Sequence, residues 1–434
     1  MNPLTHRIEP FRALLFDPSV SGGLSRVIAP PYDLIAPALQ DELYRRSPYN
    51  VVRLELARDS DRYGSAAATL TDWLRRGALK RTSAAAIYLY TQQFTVRSGG
   101  IFTRSSLVVR LRLEPFGHGS IMPHERTFPA PKEDRLRLLA ATQTNISPVF
   151  GLYRGSYPEL DALRERLTRQ LPIADIVDDL EVRNRLWPVA DSRDIGLVQT
   201  ALAEAPILIA DGHHRYETAL EYARHRHAQN SGQGELESFD YIMAALVACD
   251  DPGLVILPTH RVVTRPFGTE ELSAFKRNAE EFFEIEEFAA ADKPAFLARL
   301  LGLGKGALGV ALRGVASRMI LRVARPGAAA SLLAHIPAAV RALDVSILHG
   351  LVFERLLKLP AGEVSAGHAV QYTTDADGAL EQVASGEAAG GFLVNPPSIA
   401  EVESAAQAGA TMPEKSTYFY PKLTTGLVMN PLFE

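Results

Sequence analysis

An apolar run breaks into polar residues at Pro206-Ile207-Leu208-Ile209-Ala210-Asp211-Gly212-His213-His214-Arg215-Tyr216-Glu217. Ile207 to Ala210 is short, apolar and β-branched, as a buried strand is, while Ala219, Leu220 and Ala223 recur at helical spacing within Glu217 to His227. The junction is therefore expected to run strand, tight loop, helix. Asp211 suits the helix N-cap, and Gly212 suits a positive φ or a close backbone approach. The first N–H groups of a helix attract anions, and Arg215 adds a planar fork that fits phosphate. The chemistry this points to is the holding of a phosphate.

A second charged constellation is Pro123-His124-Glu125-Arg126-Thr127 followed by Lys132, Glu133, Asp134 and Arg135. Its prolines predict a loop, the place where binding and catalytic side chains are often carried. A glutamate among cations stays ionised and can accept a proton, which makes Glu125 the candidate base. Lys132 and Arg135 can neutralise phosphate oxygens. Whether this stretch approaches Asp211 in space is not legible in the sequence.

Smaller signals lie elsewhere. Pro30-Pro31-Tyr32-Asp33 is a stiff turn able to aim Tyr32 or Asp33 into a cleft. Lys415, Ser416, Thr417 and Lys422 offer donors to an anion near the end of the chain, and Tyr418 to Tyr420 offer packing area. Thr259-His260-Arg261 suits the edge of a core. Gly302-Leu303-Gly304-Lys305-Gly306 lacks the Gly-Lys-Ser/Thr ending of a phosphate loop and is expected to be a turn. No metal site is assigned, because Cys249 is the single cysteine and His225 and His227, two apart on a helix, do not face one another.

Asp211-Gly212-His213-His214-Arg215 resembles the Asp-Gly-x-x-Arg signature of the ParB/sulfiredoxin superfamily, whose members hold nucleotide phosphates at this loop and include free-serine kinases. The wider chain resembles the family called domain of unknown function 1015. That resemblance rests on Ala29-Pro30-Pro31-Tyr32-Asp33, Pro123-His124-Glu125-Arg126-Thr127, Pro131-Lys132-Glu133-Asp134-Arg135, the Asp-Gly-His-His-Arg loop, and Lys415-Ser416-Thr417-Tyr418-Phe419-Tyr420-Pro421-Lys422. The two likenesses imply an α+β fold of mixed sheets and helices carrying a nucleotide-binding loop. They imply a nucleotide-dependent phosphotransferase that takes ATP or ADP with Mg²⁺ and acts on a small hydroxyl compound, with free L-serine first among acceptors.

In that reading the catalytic candidates are Glu125, His124, Asp211 and His213. The phosphate-binding candidates are Gly212, His214, Arg215, Lys132 and Arg135, with Tyr32, Asp33, Lys415 and Lys422 as accessory positions. Two alternatives stand beside it. One is a non-enzymatic nucleotide- or DNA-binding regulator of the ParB kind, opposed by the acidic balance and by the lack of a recognisable helix-turn-helix. The other is a metal-dependent hydrolase with His124, His213 and His214 as ligands and Glu125 as base, opposed by the different directions that adjacent histidines point and by the absence of His-Glu-x-x-His spacing.

The elements that must position these residues are mixed. Helices are expected over Leu39–Arg46, Tyr63–Gly77, Arg135–Thr142, Pro158–Leu171, Asp194–Glu204, Glu270–Phe283, Pro294–Leu301, Ala338–Leu357 and Ile399–Ala408. Ala86–Phe94 and Phe102–Leu113 are expected to form a hairpin turning at Arg97-Ser98-Gly99-Gly100. Further strands are expected at Ile176–Leu180, Glu181–Pro188, Asp240–Ala248, Ala307–Leu312, Arg318–Val323, Ala369–Thr373 and Gly391–Val394.

Three regions follow: 1–150 with the charged stretch 123–135, 151–265 with the Asp-Gly loop, and 266–434. The length of 434 residues and 47% hydrophobic content suffice for more than one core. A net charge of −4 gives no general field for nucleic acid. The lone cysteine and the lack of a leader or membrane-length apolar run lead us to expect a cytoplasmic protein without nucleic-acid or membrane partners.

Overall fold

The computed structural model describes residues 6–96, 99–117, 119–125, 127, 129–229, 236–359 and 369–433. The fold is α+β, with mixed sheets and helices. The chain packs as two compact units. The first consists of Met1–Pro123, Thr127–Val255 and Pro421–Glu434, and the second of His124–Arg126 and Ile256–Tyr420.

In the first unit, nine strands among the described residues form one sheet. Its order is Ile121–Met122, Ile207–Asp211, Val149–Tyr153, Tyr241–Ala248, Ile101–Arg112, Ile87–Thr95, Arg183–Val189 and Ala174–Val177, with Ile8–Glu9 alongside the end of Ile101–Arg112. The expected hairpin is present, with Tyr88 opposite Val108 and Thr95 opposite Ile101. Residues 97 and 98 of its turn lie outside the described residues. Val149–Tyr153, which sequence reading did not single out, sits in the sheet parallel to Tyr241–Ala248 and antiparallel to Ile207–Asp211.

Alternation gives the sheet two different faces. Ile87, Leu89, Leu107, Val109, Leu111, Ile207 and Ile209 point into a core closed by helices Pro158–Thr168, Ser192–Leu202 and His213–Gln229, through Leu163, Val198, Tyr216 and Ala219. The residues between them, among them Gln92, Arg104, Ser106 and Arg110, face the other way and are buried although polar. The end of the chain covers part of that face. Arg110 Nε donates to Asn430 Oδ1 at 2.8 Å, and Arg110 Nη2 donates to the Pro431 carbonyl at 2.9 Å. The Leu14 amide donates to Met429, and Ala29 and Thr425 exchange backbone bonds.

The second unit has its own antiparallel sheet of six strands among the described residues, in the order Phe283–Ala289, Ser317–Val323, Ala307–Leu312, Gly390–Leu393, His260–Val263 and Val370–Thr373. Its core includes Val262, Phe296, Ile320, Ala379 and Leu393. The helix expected over Ala338–Leu357 divides into Ala338–Arg341, Asp344–Ile347 and a π-helical stretch Leu348–Leu356. The helix expected to reach Phe283 stops at Ala279, and Phe283 opens a strand.

The largest departure from the sequence reading is at the charged stretch. Residues from Pro129 are helical, so Lys132, Glu133, Asp134 and Arg135 lie on the first turns of helix Pro129–Thr142 rather than on a loop. Prolines at 129 and 131 permit this because the first amides of a helix have no intrahelical carbonyl to bond, so nothing is lost there. Placement on a helix buries Arg135 beside Glu55, 2.6 Å from Arg135 Nη1 to Glu55 Oε2, with both side chains less than a tenth exposed.

Removing one partner of such a pair strands a buried charge. Arg135→Leu should therefore cost about 3–5 kcal/mol of stability at neutral pH in urea unfolding. A loss below about 1 kcal/mol would contradict the pairing.

Candidate functional site

The predicted strand, loop and helix are present as Ile207–Asp211, Gly212 and His213–Gln229. The helix begins earlier than its apolar periodicity indicated, directly after the glycine. Asp211 consequently closes the strand rather than capping the helix. Pairing with Val149–Tyr153 shifts register between Ile209 and Asp211, which re-aims the last strand residue. Its Oδ1 accepts from the Gly212 amide at 2.9 Å and its Oδ2 from Lys422 Nζ at 3.0 Å.

Asp211 is held well below the usual carboxylate range. Burial opposes its ionisation, but the Lys422 ammonium, the Arg215 guanidinium, the Lys422 hydrogen bond and His213 together outweigh that. The site is thus a charged one at neutral pH.

Gly212 has a φ of 87°, where a side chain is strained, and a Cβ there would come within 3.0 Å of Arg215 Nη2. The guanidinium therefore folds back over the glycine. Arg215 Nη1 donates to Ser147 Oγ at 3.0 Å and to the Pro148 carbonyl. His213 is buried and His214 half-buried. The first-turn amides, from His213 to Arg215, lie beyond the reach of the helix's own carbonyls, and the Tyr216 amide begins the ladder with Gly212 at 3.0 Å.

Part of the charged stretch meets this helix. Lys132 Nζ lies 3.1 Å from Glu217 Oε2, Thr127 Oγ1 donates to the same carboxylate, and Thr218 Oγ1 reaches the Lys132 carbonyl at 3.4 Å. Arg135, besides Glu55, binds Asp134 and lies over the Tyr32 ring at 4.2 Å. Burial works against the Arg135 charge, yet Glu55 and Asp134 more than offset it and raise its pKa. Burial also raises the Tyr32 phenol, while Arg215 and Arg135 pull it the other way, so the Tyr32–Leu34 turn sits within the field of both cations. Asp33, the next residue, is exposed.

Arg215, Arg135, Glu55 and Ser147, with the apolar Leu138 and Ile242, line a cavity of about 50 Å³. A cavity of this size has the volume of a few waters, at about 10–15 Å³ each.

The other part of the charged stretch belongs to the second unit. The Lys415 amide donates to Glu125 Oε1 at 3.1 Å, the Met412 amide donates to the His124 carbonyl at 2.8 Å, and His124 Nε2 is 3.0 Å from Thr417 Oγ1. Lys415 itself is exposed, with a φ of 52°. Glu125 also lies within the field of the fully buried Arg261, whose Nη2 binds the Glu414 and Lys415 carbonyls and whose pKa burial pushes down to about 10.

Among the sequence-derived positions, then, Asp211, Gly212, His213, His214, Arg215, Lys132, Arg135, Tyr32, Asp33 and Lys422 fall in the first unit, and His124, Glu125 and Lys415 in the second. Lys422, expected only as an accessory residue, is the direct partner of Asp211. Glu55 and Ser147 were not foreseen, and Glu217 and Thr127, though within the two constellations, were given no role. Glu55 gives no signal in Arg53-Leu54-Glu55-Leu56, and Glu217 reads as an ordinary helix-surface glutamate. Among the described residues no group of three or more His, Cys, Asp or Glu is disposed to hold a metal ion, and no helix is long and apolar enough to cross a membrane.

No curated protein matches the chain. Among solved structures it is similar to a conserved hypothetical protein from Pyrococcus furiosus, at 13% identity over 73% of this chain and 89% of that one, with a TM-score of 0.33. It is similar to a free serine kinase in complex with AMP, at 14% identity over 75% and 88% of the two chains, with a TM-score of 0.34. A free serine kinase variant in complex with ADP gives 14% identity over 74% and 92%, with a TM-score of 0.36. The family described as "Protein of unknown function (DUF1015)" matches from residue 8 to residue 346, and the chain belongs to that family.

Proposed function

We propose that the protein is a nucleotide-dependent phosphotransferase whose first unit holds the nucleotide's phosphates at Asp211–Arg215. The observation that carries this reading is the Lys422 ammonium 3.0 Å from Asp211 beside the first turn of a 17-residue helix. The Lys422 ammonium brings positive charge to the start of that helix while one of its three donors goes to Asp211. The helix N-terminus supplies oriented amides, and Gly212 keeps the backbone bare enough for phosphate to approach.

Arg215 contributes charge to the site while its Nη1 is tied to Ser147 and Pro148, so its part is that of a fixed electrostatic wall. Lys132 and Arg135 have carboxylate partners of their own, Glu217 and Glu55. Mg²⁺ carried by the nucleotide would offset phosphate charge. ATP and ADP are both candidate donors.

In the reaction the acceptor's hydroxyl oxygen forms a bond to the terminal phosphorus, the bond from that phosphorus to the bridging oxygen breaks, and a carboxylate takes the hydroxyl proton. Positioning and charge neutralisation supply most of the rate in such transfers. Two carboxylates are candidates for the base: Asp33, exposed beside Tyr32 in the first unit, and Glu125, nominated by its sequence context. Free L-serine is the first acceptor to try, with other small hydroxyl compounds after it.

ADP or ATP with Mg²⁺ at about a hundred times its Kd should stabilise the fold by about 2.7 kcal/mol, read as a rise in Tm. Lys422→Met should weaken nucleotide binding about tenfold to a hundredfold, the worth of one charge-assisted bond, and Gly212→Ala should weaken it as well. No shift in Tm with ADP, ATP or CTP at millimolar concentration would remove the phosphate site.

With labelled nucleotide and a panel of amino acids and small alcohols, the variant that removes the base should bind nucleotide normally yet lose at least a hundredfold in turnover. Asp33→Asn and Glu125→Gln, measured side by side, identify which carboxylate that is. Full activity in both would exclude each as base, and binding without any phosphorylated product would leave a nucleotide-binding regulator.

A further inference from the structure

The Lys422 ammonium can serve Asp211 only if the strand of chain that carries it is held in place, and three buried polar residues are aligned to do this. Arg104, Gln92 and Asn184 are direct cross-strand neighbours, Arg104 opposite Gln92 and Gln92 opposite Asn184, so their side chains form a row across one face of the sheet. All three are buried to within about a hundredth of complete. Polar residues in such a position demand partners, and the partners here include the Pro421 and Lys422 carbonyls and the Thr424 hydroxyl.

Arg104 Nη2 donates to the Pro421 carbonyl and to Gln92 Oε1. Gln92 Nε2 donates to the Lys422 carbonyl at 3.1 Å and to Asn184 Oδ1 at 3.2 Å. Thr424 Oγ1 and Tyr90 Oη donate to the same Asn184 oxygen, at 3.2 and 2.6 Å. The carbonyls on both sides of the Lys422 amide nitrogen are therefore gripped, and the next bond along fixes Thr424. Arg104 also lies 4.7 Å from the Phe150 ring centroid, and Phe150 is the residue opposite Asp211 in the sheet. One guanidinium thus touches the chain that presents the lysine and the strand that pairs with the aspartate.

This guanidinium is an expensive choice. Burial pushes its pKa down to about 10, and the two hydrogen bonds named here go to neutral oxygens, whereas an apolar side chain of similar volume would fill the space without desolvating a charge. We propose that Arg104 is a positioning residue for the phosphate site, holding Pro421–Lys422 so that the Lys422 ammonium meets Asp211. The part concerning phosphate rests on the function proposed above, and the part concerning Lys422 and Asp211 does not.

The test reads the two parts separately. The groups that face Asp211 electrostatically are Lys422, Arg215, His213 and Arg104. Arg104→Lys keeps the charge but cannot bridge Pro421 and Gln92 together, and Gln92→Met keeps Arg104 while releasing the Lys422 carbonyl, so a folding failure in one leaves the other to decide.

In the full chain, the Asp211 carboxyl carbon is followed by NMR against pH. In the parent protein it should titrate well below the usual carboxylate range, and in either variant it should rise towards that range because Lys422 has moved away. ADP affinity should fall about tenfold in Arg104→Lys and change less than twofold when the same substitution is added to Lys422→Met.

An unchanged Asp211 titration in both variants, whatever happens to Tm, overturns the proposal and makes the row a packing feature. A raised Asp211 titration in a protein that binds no nucleotide upholds the positioning and removes the phosphate reading alone. Equal losses of affinity with and without Lys422 show that Arg104 does not act through it and overturn the proposal.

Discussion

A carboxylate at the end of a buried strand and a lysine 211 positions further along the chain meet at 3.0 Å, and the rest of the first unit's candidate site is arranged around that contact. The strand ends in a bulge that turns Asp211 towards Lys422, and the glycine that follows adopts a left-handed φ so that the helix can start at once. The chain reaches this point only because its last residues return to the first unit and cover a sheet face built with polar side chains. An exposed ion pair of this kind would contribute little to stability. Half-buried, with Arg215 and His213 also favouring the charged form of Asp211, it keeps a carboxylate ionised at a helix N-terminus that favours anions. Charge is concentrated beside the start of that helix.

Much of the site's position was legible in the sequence because local signals agreed. Ile207 to Ala210 reads as a short buried strand, the Asp-Gly pair marked the break, and apolar spacing identified the helix. The start of that helix was placed too late because its first turn carries His213, His214 and Arg215, and such residues hide the apolar period. Helix Pro129–Thr142 was mistaken in its first half for a similar reason. Proline reads as a breaker, yet at the opening turn it has no hydrogen bond to forfeit.

What sequence could not supply was long-range partnership. Nothing near Asp211 announces Lys422, nothing in Leu54-Glu55-Leu56 announces a cation for Glu55, and the polar row Arg104, Gln92, Asn184 becomes visible only when strand register is known. The charged stretch 123–135 illustrates the same limit. Treated as one constellation, it divides in the structure: His124 and Glu125 bond to residues of the 412–417 segment, while Thr127, Lys132 and Arg135 bond to helix His213–Gln229 and to Glu55. Proximity in sequence brought together groups that serve different units.

The central claim is that residues 212–215 and Lys422 receive phosphate. A crystal structure of the full chain with bound ADP and Mg²⁺ tests it most directly. The account predicts phosphate oxygens within hydrogen-bond distance of the Lys422 ammonium and of backbone amides at the start of the helix, with Asp211 still paired to Lys422. Phosphates bound elsewhere on the protein, with those amides and Lys422 facing solvent, would contradict it.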